Sequence, residues 1–219
     1  MITFVADDHY YAHPGAALHE ALKDRFPMVF AENNLAPLED AAFPGECELL
    51  ILNLIADTCG QPLAGPVVER NVRAYLEQGK PLLLLHGASA AFWHWAWWRE
   101  LVGFRWVRPT DPDGVPASTH PVRPYRVDVS KCRHPLCRAL QPMDLAKDEI
   151  YTRLEQVNPA MVLLETTIEE GTFPQCWENT TPWGGRVIGF LPGHDKAVVQ
   201  SAGVVANVVV LIESLLAKR

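Results

Sequence analysis

Cysteine is scarce: five in 219 residues (Cys47, Cys59, Cys132, Cys137, Cys176), an odd number, widely spread and with no CxxC. That excludes a zinc ribbon and offers no disulfide framework, so reduced, structural thiols are expected. Positive charge is also short. With 19 Lys+Arg against 26 Asp+Glu the chain carries −7, which gives it no electrostatic reason to approach nucleic acid or an anionic membrane surface. No long apolar run is present. The most membrane-like stretch, 197–212, is broken by Gln200, Ser201 and Asn207 and falls short of the roughly 20 residues a bilayer demands, so it reads as a buried helix. The start of the chain reaches Asp7-Asp8 after a handful of apolar residues and shows no basic leader, so a cytoplasmic location is expected.

Several catalytic signatures are missing as well. Gly45, Gly60 and Gly65 form neither a GxGxxG nor a Walker sequence, which removes the usual dinucleotide and ATP sites. Ser89, in Gly87-Ala88-Ser89-Ala90-Ala91, lacks the GxSxG context of a serine hydrolase, and no HExxH offers a ready-made metal pair. Cys59 and Cys176 have no activating base nearby in sequence and are read as ordinary thiols.

What the chain does have is enough apolar residue, 48%, to bury a sizeable core, with 21% charged. Residues 2–6 form an apolar run closed by Asp7-Asp8, and in 14–26 Ala17, Leu18, Ala21, Leu22 and Phe26 share one helical face. The alternation repeats. Residues 49–55 are apolar apart from Asn53, as a strand covered on both faces requires, and Val68, Val72, Tyr75 and Leu76 fall at helical spacing between Pro66 and Gly79. Residues 81–87 make the most hydrophobic strand, ending in His86-Gly87 before an expected aromatic helix. Strand, helix, strand, helix predicts a three-layer α/β fold around a doubly wound, mostly parallel sheet, with ligands beyond the carboxyl ends of its strands. One domain over 1–219 is expected, with an irregular, proline-rich insertion at about 107–135 that includes a half-exposed strand at 125–129. Further strands are expected at 160–164 and 186–191. A closing helix presents Val198, Ala202, Val205, Val209, Ile212 and Leu216 as its apolar stripe.

Residues capable of chemistry cluster at the predicted strand ends. His86 ends the central strand and His194 follows the strand at 186–191 through Pro192-Gly193, while His13 follows the first strand. Imidazoles at separate strand ends either bind a divalent metal such as zinc, with His86 and His194 as its ligands, or divide acid and base roles near neutral pH. The alternative for each is a histidine satisfied by nearby backbone. In Asp148-Glu149-Ile150-Tyr151 an extended backbone puts Glu149 and Tyr151 on one side, where they line a pocket unless the segment is a solvated loop. Asp7 and Asp8 receive no role. Five of the seven tryptophans lie at 93–106; in a helix Trp93 and Trp97 share one face and Trp95 and Trp98 another. Such rings stack on the C–H face of a sugar, or pack in a core or an interface between subunits of a homo-oligomer.

An ordered set of short motifs carries a resemblance. Gly79-Lys80-Pro81 leads to Leu85-His86-Gly87, followed by Trp98, Gly103-Phe104, His120-Pro121, His134-Pro135, Asp148-Glu149-Ile150-Tyr151, Pro174 with Trp177, Gly184-Gly185-Arg186-Val187 and Gly193-His194-Asp195. The sequence resembles the trehalose-utilisation, or ThuA-like, family of the class I glutamine amidotransferase-like superfamily. The resemblance implies a flavodoxin-like sheet. It also implies that the turn which carries the nucleophilic cysteine in those amidotransferases carries His86 here, so glutamine hydrolysis through a thioester is not expected. Carbohydrate use is implied instead, with trehalose or related glycosides and their keto derivatives as the saccharide partner. His86, Glu149 and His194 are carried over as acid–base or metal-binding residues, and His13, His120 and Tyr151 as substrate contacts, to which ring stacking, not the resemblance, adds Trp93 and Trp97. A non-catalytic sugar-binding or assembly subunit is the alternative.

Overall fold

The computed structural model describes residues 1–55, 63–111 and 114–217; Cys59 lies outside them. The chain opens with β1 (Ile2–Ala6), α1 (Pro14–Leu22), β2 (Met28–Glu32), the one-turn helices α2 (Ala36–Glu39) and α3 (Phe43–Glu46), β3 (Leu49–Asn53), α4 (Pro66–Leu76) and β4 (Leu82–Leu85). It continues through α5 (Ala96–Arg99), β5 (Phe104–Arg105), β6 (Val122–Val129), α6 (Leu136–Ala139), β7 (Met143–Glu149), β8 (Glu155–Gln156), β9 (Met161–Ile168), β10 (Gly171–Thr180) and β11 (Arg186–Phe190). Two helices close it, α7 (Lys196–Val199) and α8 (Ala202–Leu216). None of the described helices is long and apolar enough to cross a membrane.

Nine strands form one sheet in the order β2-β1-β3-β4-β11-β10-β9-β6-β7. The first five pair in parallel, in the flavodoxin-like 2-1-3-4-5 order. The rest continue antiparallel, an extension that the strand–helix alternation at the start of the chain does not announce. Because side chains alternate along a strand, the parallel strands feed two cores. Phe4, Ile51, Leu83 and Phe190 face α1 and α8. Val5, Leu50, Leu52, Leu84 and Val187 face the layer built by α2 to α5. This is the three-layer α/β arrangement.

Several sequence expectations need correction. The half-exposed strand expected at 125–129 is longer: β6 runs Val122–Val129 and pairs with both β7 and β9. The aromatic helix after His86 shrinks to Ala96–Arg99, because Phe92 takes a left-handed conformation (φ 50°) and stacks on Trp95 at 4.1 Å. On α8 the buried stripe is Val204, Val208, Leu211, Ile212 and Leu215, one step round from the expected one, with Val205, Val209 and Leu216 only partly covered. A helix this apolar on every side carries too little polar contrast to mark its inner face. The cysteines are not all free: Cys132 and Cys137, five residues apart across the turn into α6, form a disulfide, while Cys47 and Cys176 are buried thiols.

Candidate active site

Three strand ends and one edge strand converge at the carboxyl side of the parallel strands. His9 follows β1, His86 follows β4, His194 follows β11, and Glu149 ends β7. One ligand atom from each lies within 4.8 Å of all the others. The imidazole rings meet edge to face, with centroids 4.7 Å (His9–His86), 5.0 Å (His9–His194) and 5.4 Å (His86–His194) apart.

Each group is held from behind. His86 is buried at φ 49°, a left-handed conformation that costs a non-glycine residue on the order of 1–3 kcal/mol and concentrates at functional sites. Its Nδ1 lies 2.8 Å from the carbonyl of Leu191. A carbonyl only accepts, so Nδ1 carries a proton and Nε2 is the nitrogen turned to the cluster. The Nδ1 of His9 stands 3.7 Å from the Asp7 carboxylate, a pairing that orients an imidazole for work at its other nitrogen. His194 sits on a turn that Asp148 grips: the two oxygens of this buried carboxylate accept the N–H groups of Gly193 and His194, each at 2.9 Å. The φ of 129° at Gly193 is open to glycine and strained for other residues.

The electrostatics follow from the packing. Burial pushes the Glu149 carboxyl up, but hydrogen bonds from His194 and His86, with their charge, outweigh it and hold the group well below the ordinary carboxylate range. The same bond to Glu149 raises His194 against the opposing effect of burial. Burial lowers His9, leaving it a neutral imidazole. Burial first, then the charge of Glu149, pushes the Tyr151 phenol well up, so it stays protonated, with its hydroxyl 3.2 Å from His86 Nε2.

The spacings suit a cation. His194 Nδ1 is 3.3 Å from both His86 Nε2 and Glu149 Oε1, and His86 Nε2 is 3.4 Å from Glu149 Oε2. A tetrahedral ion at about 2.0–2.1 Å from nitrogen and oxygen ligands sets those ligands about 3.3–3.4 Å apart.

His9, Glu149 and His194 line a cavity of about 570 Å³, within the range of small-molecule sites, with His86 buried against them. Tyr10, Trp106, Arg108, Thr110, His120 and Tyr151 are among its walls. His120, half exposed, reaches Glu149 Oε1 at 3.1 Å, and the Trp106 ring leans on Tyr151 and His120 at 4.8 and 5.3 Å. The structure therefore gathers His86, Glu149, His194, Tyr151 and His120. It does not bring in three other expected residues. His13 turns away to the carboxylate of Glu32 at 2.8 Å. Trp97 bonds to Glu69 of α4 at 2.8 Å, and Trp93 lies behind the wall, beneath the guanidinium of Arg108 at 4.5 Å. With no long helix to carry them, those two tryptophans pack on the α4 side and behind the wall, and Trp106 is the indole that reaches the cavity. His9 is absent from the sequence reading; its only signal is a position just past β1, four residues before the histidine chosen there.

The fold and site define an α/β protein with a histidine- and carboxylate-lined pocket at the ends of its parallel strands. The chain belongs to the ThuA family, described as trehalose utilisation, whose model matches residues 8–209. It is similar to a ThuA-like protein from Parabacteroides merdae (17% identity, TM-score 0.78, covering 99% of this chain and 90% of that one). A ThuA-like protein from Bacteroides uniformis is also similar (15% identity, TM-score 0.71, 98% and 91% covered). So is a cytoplasmic protein from Salmonella typhimurium (10% identity, TM-score 0.60, 98% of each chain). At such identities the likeness is one of fold. A comparison with curated proteins finds no match.

Proposed function

We propose that this chain is a carbohydrate-active enzyme that holds a divalent metal, zinc foremost, through His9, His86, Glu149 and His194 and acts on trehalose or a related glycoside or keto-glycoside. The observation that carries the reading is the convergence of three imidazoles and one carboxylate beside an open cavity, with His86, Glu149 and His194 at tetrahedral spacing and His9 against them. The family's description as trehalose utilisation supports the substrate class, and the cytoplasm is the proposed location. Hydrolysis by paired carboxylates finds little support, because Glu149 is the one carboxylate among the described residues lining the cavity. When bound, the metal would supply Lewis acidity toward a hydroxyl or keto oxygen of the sugar. The chain's own groups do the rest. Tyr151, protonated and beside His86, donates a hydrogen bond to developing negative charge on that oxygen. His120, at the mouth and against Glu149, exchanges a proton with the substrate. Trp106 offers a flat apolar wall to the sugar ring.

Calorimetric titration with trehalose and its keto derivatives, on zinc-loaded and chelator-treated protein, tests the proposal. Binding and turnover are expected in the loaded protein, and both are expected to fail after chelation and in His86→Ala. Turnover at the wild-type rate in His86→Ala contradicts the proposal.

A further inference from the structure

The segment that delivers His9 has an unusual backbone. His9, Tyr10, Tyr11 and His13 take φ values of 44°, 57°, 67° and 51°, so four of five successive residues are left-handed and none is glycine. L-residues visit that region singly as a rule and resist it in runs. Inside the turn, the N–H of His13 donates to the carbonyl of Asp8 at 2.8 Å and that of Ala12 to the carbonyl of His9 at 3.2 Å. These local bonds accompany a conformation that a free chain would leave, so it must be over-determined from outside.

The outside hold comes from the neighbouring strand end. Asn33, just past β2, accepts the N–H of Asp8 on Oδ1 at 2.9 Å and donates from Nδ2 to Asp8 Oδ2 at 3.1 Å. It is anchored in turn by its own N–H on the Ala6 carbonyl at 2.9 Å, and it sits at φ 54°, a conformation that asparagine tolerates better than most residues. Asp8 then passes the hold along, its other oxygen taking the N–H of Tyr11. Asn33 does not line the site cavity, yet the turn it fixes puts His9 against His86 and His194 and Tyr10 on the cavity wall.

We propose that Asn33 is a positioning residue for the metal site, acting through the left-handed turn to hold His9 in the cluster. The inference rests on the metal-site reading above. Asn33→Gly tests it, since glycine keeps the backbone free to hold φ 54° while removing both side-chain bonds. Zinc affinity is measured by competition with a chromophoric chelator in wild type, Asn33→Gly, His9→Ala and the double variant. Modification of each histidine by diethyl pyrocarbonate is followed by mass spectrometry in the metal-free proteins. Asn33→Gly is expected to weaken zinc about 10-fold or more and to speed modification of His9 while leaving His134 unchanged. In the His9→Ala background the same change is expected to cost nothing further, as for two residues acting as one unit. Wild-type zinc affinity and His9 reactivity in Asn33→Gly overturn the proposal, as do losses that multiply in the double variant or a rise in reactivity at every histidine. If wild type takes up no zinc, the metal reading fails by itself and His9 reactivity decides the role of Asn33. Should Asn33→Gly not yield folded protein, Asn33→Asp, which sets a second carboxylate against Asp8, carries the same expectations.

Discussion

Glu149 and His194 titrate against each other, and the signs of their shifts define a pH window for the metal-free protein. His194 is raised above its ordinary 6.5, so its contribution is complete below that value and is lost as pH climbs through the folded pKa. Glu149 is lowered from its ordinary 4.5, so its contribution is complete above that value and is lost as pH falls toward the folded pKa. The pair therefore stabilises the fold most between about 4.5 and 6.5. Thermal unfolding of chelator-treated protein across pH is expected to show this maximum relative to Glu149→Gln, which removes both arms; parallel curves for the two proteins contradict it. At this scale the sequence was informative wherever a histidine ended a recognisable strand, as His86 and His194 do. It misled at the first strand end, where a left-handed turn reverses the chain and exchanges His13 for His9, a conformation that no residue type there announces.

Elements meet the site through their packing, and β10 and β11 show how. Trp177 lies across Gly189 on the paired strand, so that a methyl group at Gly189 would sit 2.3 Å from the indole ring. Two residues further on, Leu191 supplies the carbonyl that fixes His86. Gly189→Ala is therefore expected to destabilise by about 1–3 kcal/mol through overpacking, lowering Tm by several degrees and weakening zinc binding with it. Unchanged Tm and zinc affinity in that variant contradict the coupling. The parallel strands were legible because burial on both faces demands continuous apolar runs, as in β3 and β4. The strands β7 and β10 were not, since they mix charged, polar and apolar residues and depend on partners far away in sequence. Helix α8 was legible as an element and illegible as a face.

The whole molecule works as a gathering device: a twisted sheet brings residues 9, 86, 149 and 194 to one place although they are spread over most of the chain. Because the site joins β1, β4, β7 and β11, a metal bound there ties both the parallel and the antiparallel parts of the sheet to the folded state, and binding free energy adds to stability. The fold class and family were readable from ordered motifs. The meeting of the four side chains was not, since it depends on strand order and on two left-handed turns. The most direct measurement is anomalous diffraction at the zinc edge from crystals of the zinc-loaded protein. A single strong peak is predicted within bonding distance of His9, His86, Glu149 and His194. A peak elsewhere, or none there at stoichiometric zinc, would contradict the account.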